Sequence, residues 1–441
     1  MKDENTLYWL WLADKCGVAS KQFGRLVEKY EDPFDIYGLT DDEAEQLDGI
    51  NSTLKAKLCQ KDLEGSYAIL RYCKENRVDI ITYADKRYPQ RLKTIIDPPI
   101  VLYCLGHFPD FNSSLSIGVV GTRKMSEYGK RSAYKIAYEL ASAGAIVVSG
   151  MALGVDGTAA SGALSAGGRT VAVLGCGVSV VYPKEHKRLM DEIAKHGAVI
   201  TEYPPNEPPH GHNFPKRNRI ISGLSQGVLI IEGESSSGAM ITARRAIEQG
   251  REIFALPGQI DDVSSDGPNE LIREGAYTAL CSDDILSHYE FLWGDIIDSE
   301  ALSKAKRKVA DGDADRALRK YGVFTRKLMR KQSPQNEDEI FELDAKPEAK
   351  AEQKTEQKTE QKTEQKAARS PESLADESAA MLDTLDEFTR RVFEALPIDK
   401  AVSPDALAAQ GFEIGAAITS LTMLELYGLV SSLPGGLYIR K

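Results

Sequence analysis

The stretch NFPKRNRIISGLS, residues 213–225, concentrates basic side chains in a chain whose formal net charge is −11. Lys216, Arg217 and Arg219 follow an aromatic residue and a proline, and the proline predicts that a helix begins beside them. Cations in the first turn of a helix oppose the helix dipole unless an anion lies between them. The stretch therefore favours a phosphate site in which Phe214 could stack on a base. The alternative is a solvated basic turn with Phe214 in the core.

Two further loops carry chemistry that binds anions. The loop GTRKMSEYGKRS, residues 121–132, contains Arg123 and Lys130, and its first glycine allows a ligand to approach the backbone. The loop ESSSGAMITARRAIEQG begins at residue 234 and places small polar residues before a helix, where free N–H groups can bind an anion. A single nucleic-acid strand presents successive phosphates and would use all three loops, whereas a mononucleotide would use one or two.

Other site chemistries fit these loops less well. The first loop is not a Walker A loop, because a lysine occupies a position that requires glycine. The third strand-like run ends in a GxG, but Val180 stands where a dinucleotide motif needs its last glycine, which disfavours NAD or FAD. His210 and His212 have no clear third partner for a metal. Cys176 has no identifiable histidine partner, so a small buried thiol is favoured over a nucleophile.

Six apolar strand-like runs must position these loops. They alternate with helical patterns and are SIGVVG (116–121), AIVVSG (145–150), TVAVLG (170–175), AVITEYP (198–204), GVLIIEG (227–233) and EIFALPG (252–258). Continuous Val/Ile/Leu runs alternating with helices are typical of a parallel sheet covered on both faces. In such sheets the ligand lies beyond the carboxyl ends of the strands. The sequence therefore predicts an α/β fold with a Rossmann-like doubly wound parallel sheet.

The rest of the chain divides around this sheet. Residues 1–77 predict a helical domain, SAM- or helix–hairpin–helix-like, in which the weak hairpin signal Leu47-Asp48-Gly49-Ile50 also fits an ordinary turn. Residues 78–295 hold the sheet and a lead-in with two short strand-like pieces, DIITY and IVLYCLG. Residues 296–384 predict a charged, largely disordered linker, because the EQKT repeats offer no apolar anchor, although the charged segment 301–330 could be helical in part. Residues 385–441 give three helical patterns and a hairpin, which predicts a winged-helix-like domain.

The composition is that of a globular protein with several domains, with 441 residues of which 42% are hydrophobic and 27% charged. No apolar run approaches the ~20 residues of a membrane span. The six cysteines show no paired spacing, which indicates a reduced, cytoplasmic compartment and disfavours a disulfide framework or a zinc site. The net acidity argues against a protein that coats nucleic acid everywhere, but it leaves room for a local basic groove.

The longest motifs closely resemble the DNA-processing protein A family (DprA, also called Smf). The resemblance rests on GVVGTRKMSEYG, IVVSGMALGVDGTAASGAL, TVAVLGCGVSVVYP, FPKRNRIISGLS, GVLIIEGESSSGAMITARRAIEQGREIFALPG and DGPNELIREGA. It implies a single-stranded DNA-binding protein of natural transformation and recombination that protects incoming strands and helps to load the RecA recombinase. It also implies a homodimer formed through the α/β domain, no enzyme activity and no cofactor.

The resemblance implies the residues that bind the strand as well. Carried over position by position, they are Gly121, Arg123, Ser149, Gly150, Phe214, Lys216, Arg217, Asn218, Gly238 and Thr242. Charge alone adds Arg219 and Lys130. Arginine can hold a phosphate with two hydrogen bonds, lysine supplies a point charge, and Asn218 can bond sugar, phosphate or base.

Two other functions are alternatives. A nucleoside-monophosphate phosphoribohydrolase-like enzyme would have a related glycine-rich α/β fold, but it would need a glutamate near GxxTxxE. The residues after Thr242 are Ala243-Arg244-Arg245, which counts against that enzyme. An adaptor that works through its winged-helix end is the other alternative. Deleting residues 385–441 would abolish the adaptor's function, whereas the loop site would still bind single strands.

Overall fold

The computed structural model describes residues 2–310, 312–323 and 387–397, together with scattered positions between 402 and 440. The chain divides into two compact units, Met1–Asp344 and Ala345–Lys441, and the predicted sheet lies in the first of them. Within the described ranges, no helix is both long and apolar enough to cross a bilayer.

Six helices form the N-terminal part of the first unit. They are α1 (Lys2–Cys16), α2 (Phe23–Lys29), α3 (Pro33–Gly38), α4 (Asp41–Glu45), α5 (Ser52–Leu58) and α6 (Glu64–Glu75). Local capping chemistry sets some of their starts: Thr40 and Glu43 form a capping box before α4. Trp11 and Phe23 are buried in a cluster that continues into the sheet through Tyr103. The helical region predicted at the N-terminus is therefore confirmed, and it packs on the sheet.

A nine-stranded sheet forms the centre of the first unit. Its strands are β1 (Asp79–Thr82), β2 (Val101–Gly106), β3 (Ser116–Val120), β4 (Ile146–Ser149), β5 (Thr170–Val173), β6 (Ala198–Thr201), β7 (Gly227–Ile230), β8 (Glu252–Ala255) and β9 (Tyr277–Thr278). They lie in the order β1-β2-β6-β5-β4-β3-β7-β8-β9. All six predicted strands are present, each ending one to three residues before its apolar run does.

The seven strands from β6 to β9 in this order are parallel, whereas β1 and β2 of the lead-in pair antiparallel and extend the sheet beyond β6. Every residue of β3 to β7 is buried, as continuous apolar runs require. Strands β3 and β7 are neighbours although three strands separate them along the chain. The winding direction reverses between them, and this switch point is where doubly wound sheets bind ligands.

Helices cover both faces of the sheet. They are α7 (Gln90–Lys93), α8 (Glu127–Ser142), α9 (Val155–Ser165), α10 (Lys187–His196), α11 (Asn213–Leu224), α12 (Gly238–Glu248), α13 (Asp266–Arg273) and α14 (Ser282–Trp293). Helices α7, α11, α12 and α13 pack on one face, and α8, α9, α10 and α14 pack on the other. The loops after the strands meet at the carboxyl edge of the sheet, where α8, α9, α11 and α12 begin.

Two further helices, α15 (Ser299–Lys308) and α16 (Asp313–Tyr321), pack against α8 and α9. Leu302, Leu318 and Tyr321 are buried there, and the cluster ends at Val323. These helices correct the expectation that a largely disordered linker begins at residue 296. They agree with the alternative that residues 301–330 are helical in part, because charged residues there surround a few apolar positions at helical spacing. The remainder of the predicted linker, 324–384, lies outside the described residues.

The second unit is described in part. It contains helix α17 (Glu387–Ala395) and a hairpin of β10 (Val430–Leu433) and β11 (Leu437–Arg440). Val392, Phe393 and Leu421 belong to its buried cluster. The predicted hairpin is confirmed, and the first predicted helical pattern coincides with α17. Most residues of the other two patterns lie outside the described positions.

Candidate nucleic-acid interface

The loop after β3 is held by a glutamate at the end of β7. Glu232 is buried and accepts hydrogen bonds from the backbone N–H and the hydroxyl of Ser126, at 2.9 and 2.5 Å. Its backbone oxygen accepts from the N–H of Thr122 at 2.7 Å. A Cβ at Gly121 would lie 3.0 Å from that same oxygen, so glycine permits the close approach. The switch-point strands thus fix the loop that carries Arg123.

The loop after β4 is organised by Asp156 in the first turn of α9. One carboxylate oxygen accepts from the N–H of Gly150 at 3.1 Å and from that of Ala152 at 3.4 Å. Between them, Met151 has a left-handed φ of 56°, which the two bonds help to stabilise. Burial raises the pKa of Asp156, and the nearby Arg217 guanidinium opposes that rise. Ser149 points inward, because its hydroxyl donates to the carbonyl of Val119 at 2.6 Å.

Arg217 on α11 lies beneath the edge of the sheet. Its side chain is only 5% exposed. Its Nη1 donates to the carbonyl of Gly150 at 2.9 Å and to the carbonyl of Val173, and its Nε donates to Asn218 at 3.2 Å. Burial lowers the pKa of Arg217 to about 10, although Asp156 opposes the shift. The guanidinium therefore occupies carbonyl oxygens at the ends of β4 and β5 that would otherwise repel an anion.

The ring of Phe214 connects the loops at this edge. The Cζ atoms of Arg123 and Arg217 each lie 5.8 Å from its centroid, and the Tyr182 ring lies 5.2 Å away. A Cβ at Gly175 would lie 2.8 Å from the ring, so glycine makes room for it. Arg123 and Phe214 are half-buried, and Lys216 is exposed. The contacts bring the loops after β3, β4, β5 and β6 together around one aromatic ring.

Helix α12 begins beside α11. The Asn218 amide donates to the carbonyl of Gly238 at 3.3 Å, and the Thr242 hydroxyl donates to the same oxygen at 3.3 Å. Both side chains are buried; Asn218 links the two helices, and Thr242 bonds within α12. Gly238 is exposed, with open space where a Cβ would stand. The N-cap Ser237 makes no side-chain capping bond.

The helix starts at this edge differ in their capacity for an anion. Helices α11 and α12 have no acidic residue in the first turn and no side-chain cap. Helix α8 has Glu127 in its first turn and is capped by Ser126, which Glu232 also contacts. The start of α8 is therefore capped and carries a negative charge, so it is less suited to an anion. At the start of α11, the N–H groups of Asn213 and Phe214 donate to backbone carbonyls, and Pro215 has no N–H. Of these three helices, α12 therefore has the open start, whereas α11 offers an anion only its dipole.

Two residues predicted from charge alone face elsewhere. Arg219 is 1% exposed, and its guanidinium pairs with Glu202 at 2.5 Å and Asp97 at 3.3 Å. It lies two positions after Arg217, so about 200° of helical rotation separates the two side chains. Lys130 is buried and pairs with Glu127 at 2.5 Å and Asp315 at 2.7 Å. Both predictions of strand contact by these side chains are corrected, because internal carboxylates already neutralise them.

The carboxyl-edge site is defined here as Arg123, Phe214, Lys216 and the N-termini of α11 and α12. Of the other predicted residues, Gly121, Ser149, Gly150, Arg217, Asn218 and Thr242 shape it from beneath or link its helices, and Gly238 begins α12. Sequence reasoning missed Asp156 and Glu232. Two signals in the sequence were available. Asp156 directly follows a glycine-rich loop in LGVDG, and Glu232 lies at a strand end in LIIEG.

The other candidate chemistries find little support in the structure. Cys176 is buried, and burial raises the pKa of its thiol to about 11, so the thiolate nucleophile is disfavoured. The rings of His210 and His212 stack 5.5 Å apart. Among the described residues, no group of three potential metal ligands occurs.

Comparison with known proteins identifies close relatives. A family model described as DNA recombination-mediator protein A matches residues 79–290, and a DprA winged helix domain model matches 365–436. The DNA processing protein DprA of Bacillus subtilis is 39% identical over 53% of this chain and 80% of its own length. The solved structure of DprA from Streptococcus pneumoniae is 37% identical, with a TM-score of 0.56, over 64% of this chain and 97% of that one. A DNA processing protein A structure from Helicobacter pylori, described for its single-stranded DNA binding mode, is 31% identical with a TM-score of 0.45, over 50% of this chain and 97% of that one.

Proposed function

This chain belongs to the DNA recombination-mediator protein A (DprA/Smf) family, and we propose that it binds single-stranded DNA at the carboxyl-edge site. Its role is DNA processing in natural transformation and recombination. In this role it protects incoming strands and helps to load RecA onto them. The chemistry that this proposal requires is the binding of successive backbone phosphates.

The observation that carries this proposal is the open start of α12 beside α11 and two basic side chains. The α12 N-terminus lies beside the second turn of α11, to which the bond from Asn218 to Gly238 joins it. Neither helix carries an acidic first turn, so both dipoles favour an anion, and α12 adds free N–H groups. Arg123 and Lys216 add positive charge above them, which suits two or more phosphates of one strand.

Recognition of the backbone fits these residues better than recognition of base edges. Arg217 and Asn218 are engaged within the protein, and the Phe214 ring already contacts Tyr182 and two guanidinium groups. Phe214 therefore positions Arg123 above the helix starts. Phosphate contacts hold a strand without reading its sequence, which suits a protein that must accept any incoming DNA.

We propose no catalytic role for the site. Glu232, the glutamate at the switch point, is hydrogen-bonded to Ser126, and Asp156 is hydrogen-bonded to two backbone N–H groups. Neither carboxylate is placed as the free general base that a phosphoribohydrolase needs. The comparisons give no support to the enzyme alternative, since the named relatives are DNA processing proteins. No cofactor is required for phosphate binding by these groups.

We further propose that the protein works in the cytoplasm as a homodimer formed through the α/β domain. Large apolar side chains on the β9 side of the sheet are exposed, including Ile260 at 96% and Phe291 at 97%. Strand β9 ends the sheet, so its outer edge is unpaired among the residues that the structure describes. A second copy would cover both features. Sedimentation equilibrium of wild type and Phe291→Glu tests this, and a wild type that stays monomeric contradicts it.

A salt-titrated comparison of single- and double-stranded oligonucleotides of one sequence tests the DNA-binding proposal. We expect tighter binding of the single strand, with log Kd linear in log salt concentration and no release of free base from nucleoside monophosphates. Equal binding of the duplex, or release of free base, would overturn the proposal.

A further inference from the structure

A pair of arginines lies at the amino edge of the sheet, opposite the carboxyl-edge site. Arg91 on α7 donates to the Ser116 hydroxyl at 2.9 Å, to the Leu224 carbonyl at 3.1 Å and to the Gln226 side chain. Arg251, the residue before β8, donates to the backbone oxygen of Arg91 at 2.7 Å. Both guanidinium groups are therefore held where β3, β7 and β8 begin.

The pair has no acidic counterpart in the part of the chain that the structure describes. Every acceptor bonded to Arg91 or Arg251 is a neutral hydroxyl, amide or carbonyl. Burial and, to a smaller extent, the neighbouring charge of Arg251 together lower the pKa of Arg91 to about 10. Two half-buried like charges without a carboxylate are costly, because neither is fully solvated and each repels the other.

Unused donors accompany this positive charge. The Nε of Arg251 and the hydroxyl of Tyr289 are buried without a hydrogen-bond partner among the described residues. Tyr289 is 6% exposed; burial and the charge of Glu252 raise the pKa of its hydroxyl, and Arg91 and Arg251 oppose that rise. Trp293 lies over Arg91, with the Cζ atom 5.9 Å from the ring centroid. The cluster thus combines two guanidinium groups, an unused hydroxyl and an aromatic wall.

We propose that the Arg91–Arg251 cluster is a second anion site and that its ligand is a phosphate group. Two guanidinium forks can each offer parallel N–H donors, and a tetrahedral phosphate presents enough oxygens to accept from both. The site is separate from the carboxyl-edge site, because the strands run between the two edges. The phosphate is either free or part of a nucleic-acid backbone.

Thermal unfolding of the full chain in phosphate and in chloride, at equal pH and ionic strength, tests the site. We expect phosphate to raise Tm, and Arg251→Met to weaken the phosphate affinity derived from that rise by at least about tenfold. Arg169→Met is the matched control, since Arg169 is exposed and directly precedes β5 as Arg251 precedes β8. An undiminished phosphate response in Arg251→Met would overturn the proposal, and so would equal stabilisation of wild type by acetate.

Crystals of the wild-type chain soaked in phosphate give a test that does not depend on the variant folding. Tetrahedral density in contact with both Arg91 and Arg251 supports the second anion site. Density at the carboxyl-edge site but none at these two arginines contradicts the proposal.

The affinity of the protein for oligothymidylates of increasing length distinguishes the two sources of the phosphate. A backbone source predicts that Arg251→Met weakens the binding of long strands while short strands bind as they do to wild type. If the ligand is free phosphate, Arg251→Met should bind strands of every length as wild type does, while phosphate raises its Tm less. Failure of the carboxyl-edge site would instead appear as weak binding of short strands by wild type, so the two proposals fail separately.

Discussion

Arg217 donates from Nη1 to the carbonyl oxygen of Gly150 at 2.9 Å, and this bond joins helix α11 to the end of strand β4. The guanidinium of Arg217, although it belongs to the basic sequence motif, is therefore buried beneath the carboxyl-edge site. It lies beneath Phe214 and beside Asp156, and it removes carbonyl acceptors from the place where phosphates bind. Strand binding accordingly depends on a buried arginine for its geometry and on exposed groups for its contacts.

Replacing this buried arginine affects stability first. Arg217→Met leaves the Gly150 and Val173 carbonyls without their donor, so we expect the free energy of unfolding to fall by about 1–3 kcal/mol. Arg123→Met, at a half-buried position of the same site, serves as the comparison and is expected to change stability less. Urea unfolding of both variants gives the answer. Equal losses in the two would show that Arg217 is no more structural than Arg123.

The two glycines of the site give a second matched pair. A Cβ at Gly150 would lie 2.6 Å from both an Arg217 nitrogen and an Asp156 oxygen, whereas one at Gly238 meets no atom within 4 Å. We expect Gly150→Ala to destabilise the protein by about 1–3 kcal/mol through displacement of that pair. Gly238→Ala should keep or slightly raise stability, since alanine favours the helix, but weaken strand binding if phosphate contacts the α12 start. Thermal unfolding and binding isotherms distinguish the two glycine variants. A Gly150→Ala variant as stable as wild type would contradict the close contact of Gly150 with Arg217 and Asp156.

Arg219 serves the fold through its ion pairs with Glu202 and Asp97. Arg219→Met leaves buried carboxylates unpaired, so we expect a loss of about 3–5 kcal/mol, partly recovered by adding Glu202→Gln. The salt dependence of strand binding by the folded protein should not change, because Arg219 contacts no ligand. Denaturant unfolding of the single and double variants measures the coupling energy between Arg219 and Glu202. Strictly additive losses would show that the two side chains are not coupled.

His186 predicts a pH dependence of stability. Its ring is fully buried, Nδ1 lies 3.0 Å from the Met151 carbonyl, and burial lowers its pKa below the ordinary 6.5, although the bond to Met151 and the charge of Glu185 oppose the shift. The unfolded chain then binds a proton more readily than the folded one, so stability is full above about 6.5 and falls as the pH drops through the lowered value. We expect His186→Gln to lose less Tm than wild type between about pH 7 and 5. Parallel Tm curves for the two proteins would contradict the assignment.

The sequence was sufficient for the parts of the fold that depend on local pattern. Continuous apolar runs predicted β3 to β8, because parallel strands buried on both faces seldom contain polar residues. It was insufficient where a side chain's partner is distant along the chain. Lys130 meets Asp315, 185 residues away, and Arg219 on α11 meets Glu202, which directly follows β6 and lies 17 residues earlier. Charge alone therefore placed both at the ligand.

Helix geometry could have improved the prediction of the site. The rotation between Arg217 and Arg219 already requires that they face opposite directions, whereas Lys216 and Arg217 diverge by only about 100°. The roles of Asp156 and Glu232 depend on loop conformations that the tertiary structure imposes, so residue type suggested no partner for them.

The measurement that tests the central claim most directly is the salt dependence of single-strand affinity in the double variant Arg123→Ala/Lys216→Ala. A control that removes two exposed cations elsewhere, Arg169→Ala/Lys304→Ala, matches its net charge. If both basic side chains neutralise phosphates at the carboxyl edge, the slope of log K against log salt concentration should become shallower by about 1.4, at about 0.7 for each contact, and the control should keep the wild-type slope. A double variant with the wild-type slope and affinity would contradict the claim.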